Sequence, residues 1–120
     1  DTVFSARERQ YLDSRIEEIK RLADTCAARK IHLIGIVFPQ SPAYKSTGSF
    51  GLYAIQRSVA KEKLDELKAF SKQNLYFHLM DENKMGNHDY TDEMARNRDH
   101  LSSIGAAQMT KRFVQLLDSL

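Results

Sequence analysis

The sequence predicts an α/β domain: a partial three-layer, doubly wound arrangement around a short parallel sheet, in the order helix, strand, helix, strand, helix. Three observations carry this. Apolar residues recur at three- and four-residue spacing in three long segments, and two short runs of Ile, Leu, Val and Met lie between them. The stretch joining the two runs is long enough for a crossover and too long for a hairpin, which implies parallel pairing.

The first helix is predicted from Ser5 to Lys30, with Leu12, Ile16, Ile19, Ala23 and Cys26 on one face and Arg and Glu filling the others. Ser5 followed by Glu8 suits a capping box. The first strand is read from Ile31 to Phe38, stopped by Pro39, and its unbroken apolarity fits a strand covered on both faces. Pro, Ser, Thr and Gly from Pro39 to Gly51 then make a long loop. Helical spacing resumes from Ala54 to Ser71 through Ala60, Leu64, Leu67 and Phe70. A second strand runs from Leu75 to Met80, a second polar loop from Asp81 to His100, and a closing helix from Ser103 to Leu120. That helix carries Ala107, Thr110, Phe113, Val114 and Leu117 on one side.

At 120 residues with 42% hydrophobic content the chain is read as a single domain with one modest core. Eighteen basic against sixteen acidic residues leave a net +2, which is no polyanion-binding surface, so no nucleic-acid partner is expected. The charge is uneven: Tyr44 to Lys72 is basic and Asp81 to His100 acidic. Cys26 stands alone, so no internal disulfide forms. No apolar run is long enough to span a membrane and no targeting pattern opens the chain, so no membrane association is expected. An export signal on a longer parent chain leaves the compartment open.

Both long loops leave the carboxyl ends of predicted strands, the edge where open α/β sheets place ligands. Two strands fall short of the roughly four to six of typical sheets, so a missing neighbour is expected to complete this one. It is either a missing N-terminal half of the same domain or a second copy in a homodimer.

The segment Asp99-His100-Leu101-Ser102-Ser103-Ile104-Gly105-Ala106 is similar to the last block of SGNH (GDSL-type) hydrolases and their acyltransferase relatives. In that group a histidine precedes the final helix, followed by an apolar residue, a small polar residue and a Gly-Ala pair. The layout before it also matches, with a helix, an apolar strand ending in Pro39, an excursion, a helix and a last strand. Residue-level likeness runs from about Asp89 to Ala106. More narrowly, the chain resembles the C-terminal part of a bacterial paralogous family within that group. The resemblance implies a flavodoxin-like or SGNH-like fold and a Ser-His-Asp site, in which His100 is the general base and a carboxylate fixes its tautomer. The group usually has Asp three residues before the histidine, and here that position is Asn97. Asp99, Asp89 and Asp92 are the alternative orienting acids.

The Gly-Asp-Ser nucleophile block has no counterpart. Asp13-Ser14 lies inside the first predicted helix, and Gly48-Ser49-Phe50-Gly51 is one residue short of a G-x-S-x-G elbow. The implied parent is an ester hydrolase or acyltransferase acting on acylated carbohydrate, with this chain carrying the histidine block and inactive alone. The alternative is a non-enzymatic α/β assembly or binding module with the polar loops as its contact surface. No cofactor is expected. Asp81, Asn83, Gly86, Asp89 and Asp92 match parts of a calcium loop, but Met85 stands where an oxygen ligand is needed and the closing residue is not Glu. His32 and His78 fall in predicted strands and read as hydrogen-bonded structural imidazoles, and Tyr44, Phe50 and Tyr53 read either as a substrate lid or as loop anchors.

Overall fold

The computed structural model of the chain describes residues 6–52 and 55–120. The helices are α1 (Ala6–Ala28), α2 (Arg57–Gln73) and α3 (Ser103–Ser119), and the strands are β1 (Leu33–Val37) and β2 (Phe77–Asp81). The architecture is mixed helix and strand around a two-stranded parallel sheet. Ser5 of the predicted capping box, and Tyr53 and Ala54, lie outside the described residues.

α1 ends where the chain turns into αL at Lys30 (φ 57°). The Ile31 N–H donates to the Cys26 carbonyl at 2.9 Å and the Lys30 N–H to that of Ala27 at 3.0 Å. These are the two bonds of a Schellman terminus, with Lys30 where glycine is usual. They claim Ile31 for the helix end, so β1 starts later than its apolar run suggests. The entry to β2 is shifted for a similar reason. Asn74 accepts the Tyr76 N–H at 3.0 Å through its side chain and the Phe77 N–H at 3.1 Å through its carbonyl, which leaves Leu75 80% exposed in a turn.

β1 and β2 pair in register from Leu33↔Phe77 to Val37↔Asp81. Leu33, Phe77 and Leu79 point to one face, where Ile16 and Ala23 of α1 and Leu67 and Phe70 of α2 form the core with them. Lys68 of α2 closes this layer, its Nζ 2.8 Å from Asp81. The two helices are also laced by charge: Lys63, 9% exposed, reaches Asp13 at 2.5 Å and both Glu62 and Glu66. That ring, Asp13 foremost, pushes the Lys63 ammonium well above its usual value.

Two-sided burial, expected of both strands, is not what β1 shows: all five of its residues are half-buried. With two strands in the sheet each is an edge strand, so each keeps one open side. The stripe expected to bury α3 differs as well. Gly105 and Met109 are its buried residues, while Val114 and Leu117 are 46% and 44% exposed. No helix among the described residues is long and apolar enough to cross a membrane.

At the amino end of the sheet His32 Nδ1 lies 2.9 Å from His78 Nε2. Burial, and then the neighbouring His32, hold His78 below the ordinary imidazole value of 6.5. The folded state therefore binds fewer protons than the unfolded one. The resulting penalty is absent well above pH 6.5 and grows as pH falls through that value toward the lower folded one. Chemical denaturation at pH 7.5 and 5.5 should show a loss of stability on acidification that is smaller in His78→Gln. An equal loss in both proteins would discount the pair as its source.

Candidate functional site

The loops after β1 and β2 and the segment before α3 meet at the carboxyl end of the sheet. Asn83, 2% exposed, donates through Nδ2 to the Phe38 carbonyl at 2.9 Å, which ties the two strand exits together. His88 adds a second tie. Its Nδ1 accepts the Tyr90 N–H at 3.2 Å, so its Nε2 carries the proton and donates to the Gln40 carbonyl at 2.6 Å. Ser41 N–H donates to the Arg98 carbonyl at 2.8 Å, which joins the first loop to the segment before α3.

That segment is a tight hairpin inside what reads as polar loop. Ala95 and Leu101 form an antiparallel bridge, and the Arg96 N–H donates to the His100 carbonyl at 2.8 Å. α3 begins directly after it. Ser102 caps the helix by accepting the Gly105 N–H at 3.3 Å, and its own hydroxyl donates to the Glu93 carbonyl at 2.7 Å.

His100 stands on this hairpin, exposed, at the mouth of a cleft of about 550 Å³. Phe38, Leu101, Ala106 and Met109 supply apolar wall, and Arg96, Asn97 and Thr110 supply polar groups. A second cleft of about 260 Å³, lined in part by His88 and Asp92, also reaches His100. The ring nitrogen Nδ1 of His100 is 2.8 Å from Asn97 Oδ1. The same oxygen accepts the Asp99 backbone N–H at 3.0 Å, and only an acceptor can sit there. His100 Nδ1 must then be the donor, so in the neutral ring the lone pair lies on Nε2. This is the tautomer a general base needs.

The group at His100 Nδ1 is thus the amide of Asn97, and among the described residues no hydrogen bond joins the ring to Asp99, Asp89 or Asp92. Asp99 lines the same cleft as His100, and its carboxylate accepts from Gln40 Nε2 at 3.4 Å and from the Tyr44 hydroxyl at 3.3 Å. Burial, and then the Asp99 charge, push the Tyr44 phenol up. Asp89 is bound by Arg112 at 2.9 and 2.5 Å, which lowers its own value. Asp92 opens a short 3₁₀ turn, Asp92–Met94, and lines the second cleft with His100. Among the described serines considered as nucleophiles, Ser14 donates to the Tyr11 carbonyl inside α1 and Ser49 to the Gly51 carbonyl at 2.6 Å. Neither lines either cleft. Asp81, the first residue of the partial calcium loop, accepts the Asn83 and Lys84 N–H groups.

Asn97, at the position where the resemblance implies an acid, is the partner of His100 Nδ1. The three-residue spacing was the available signal. Tyr44 is expected as a loop anchor, whereas Gln40 and His88, which also hold the loops around His100, carry no such signal. The chain matches no protein-family model, no curated protein and no solved structure.

Proposed function

We propose that the chain is the histidine-bearing part of an SGNH-like, doubly wound three-layer domain of an ester hydrolase or acyltransferase, inactive alone, whose substrate is acylated carbohydrate. The observation that carries this reading is the Asn97–His100 contact, which places the lone pair of the neutral ring on Nε2 at the mouth of a cleft on the sheet's carboxyl edge. In this reading His100 takes the proton from a serine on another segment, and Asn97 holds the ring in place of the usual Asp. An amide can fix a tautomer but cannot offset the charge of the imidazolium that forms, so turnover is slower than with a carboxylate. Two open strand edges support the idea that another part of the same domain, or a second copy, completes the sheet.

Alone, the chain should hydrolyse a short-chain nitrophenyl ester no faster than free imidazole, because activated nucleophile and oxyanion donors are both missing. Turnover well above that control, lost in His100→Ala, would show that the chain is a complete enzyme. Coexpressed with the segment preceding it in its gene, it should gain esterase activity that His100→Ala removes. A gene with no Gly-Asp-Ser block after a strand would sink the enzyme reading. It would favour a non-enzymatic assembly or binding module, which the exposed Tyr11, Leu22, Val114 and Leu117 also suit.

A further inference from the structure

The two histidines at the amino end of the sheet stand at the opposite end from His100 and take no part in its chemistry. His32 precedes β1 and His78 lies in β2, and parallel register brings the two rings side by side, centroids 5.1 Å apart. Tyr76 flanks His32, ring centroids 4.9 Å apart. His32 is exposed and His78 half-buried, so the shared edge is open to solvent. The nitrogens that face each other are 2.9 Å apart.

That separation has two chemical readings. One is a hydrogen bond in which one neutral ring donates to the other. The other follows from ligand geometry: at about 2.0–2.1 Å from a metal, two nitrogens in cis positions lie about 2.9–3.4 Å from each other. For both lone pairs to meet one ion, each must point about 35–45° off the line joining the two nitrogens, so the rings turn out of the hydrogen-bonding arrangement as the metal enters. Neutral imidazole suits late first-row divalent cations.

We propose that His32 and His78 form a two-imidazole chelate for a divalent transition metal such as Zn²⁺ or Ni²⁺. His32 binds through Nδ1 and His78 through Nε2. No third His, Cys, Asp or Glu joins them among the described residues, so exchangeable water holds the remaining positions. A site of this kind is a loading or bridging position, open to a ligand from another molecule, and not a closed structural centre. His88 is no competitor, since both of its ring nitrogens are engaged.

The test is calorimetric titration of the tag-free chain with Zn²⁺ and with Ni²⁺ at pH 7.5. One equivalent should bind, with the His78 ring resonances among the first to shift. His32→Gln and His78→Gln should each weaken binding at least about tenfold, since loss of even an outer-shell partner costs about 10–100-fold. His100→Ala should bind as the parent does, and binding should fade at pH 5.5. His32 is exposed, so His32→Gln probes the site without disturbing the core. Absence of saturable one-equivalent binding, or unchanged affinity in His32→Gln, overturns the proposal and leaves the pair as a hydrogen bond between rings.

Discussion

Gly105→Ala should destabilise the protein by about 2 kcal/mol, although the same change in an open helix would stabilise it by up to about 1 kcal/mol. The reason is contact. A Cβ at this position would lie far inside van der Waals distance of the Met94 carbonyl oxygen and 3.0 Å from Leu101 Cδ2. The Met94 carbonyl cannot move aside cheaply, because it accepts the Ser102 N–H at 2.8 Å. Overpacking costs about 1–3 kcal/mol where neighbours can adjust, and a fixed backbone oxygen lies at the upper end. The clash pushes α3 away from the hairpin that carries His100, so the Asn97–His100 contact should loosen with it. Thermal unfolding reads the first effect, and the ¹⁵N shifts of the His100 ring read the second. A variant as stable as the parent would mean that helix and hairpin are not in contact as described.

Arg112→Ala should cost about 3 kcal/mol. Arg112 Nη1 is 3.0 Å from Glu82, whose side chain is 6% exposed, and the same guanidinium holds Asp89 and lies 5.4 Å from the Tyr90 ring centroid. Removing it strands the buried Glu82 charge, and an uncompensated charge of this kind costs about 3–5 kcal/mol. The lower end applies because Arg112 itself is 29% exposed. Most of the loss therefore belongs to Glu82, and little to Asp89, which is 61% exposed. The double variant Glu82→Gln with Arg112→Ala should recover more than half of the deficit. A double variant no more stable than Arg112→Ala would instead assign the cost to lost packing on Tyr90.

Three helices and two strands were legible because burying one face imposes a spacing, and Ile16, Ala23 and Leu67 keep that spacing in the core. Their ends were not legible. Lys30 at an αL position carries no signature, since the bonds that select it come from carbonyls of the helix behind it. The hairpin from Ala95 to Leu101 was read as loop because its residues carry no alternating apolar pattern. Its order comes from Arg96, Asn97 and His100 bonding among themselves. His100 was singled out through the block that follows it, and the close approach of the Met94 carbonyl to Gly105 in that block shows only in the structure. The direction of Asp99 was not legible, because Gln40 and Tyr44, its partners, are more than fifty residues away.

The parallel pairing of β1 with β2 also dictates the order in which this chain can acquire its shape. Each of the five paired positions joins residues 44 apart, from Leu33↔Phe77 onward, and no hairpin offers a shorter route between the strands. Bringing such distant points together costs about 3 kcal/mol of chain entropy plus a constant, and the first strand contact returns far less. α2 fills most of the intervening chain and its helix forms from neighbouring residues, so it shortens the span that must close before any strand pair exists. Leu67 and Phe70 then give the returning strand an apolar surface to land on. The sheet should accordingly form late, after the helices dock, and a chain cut anywhere between Val37 and Phe77 is left with two strands that no longer share a tether.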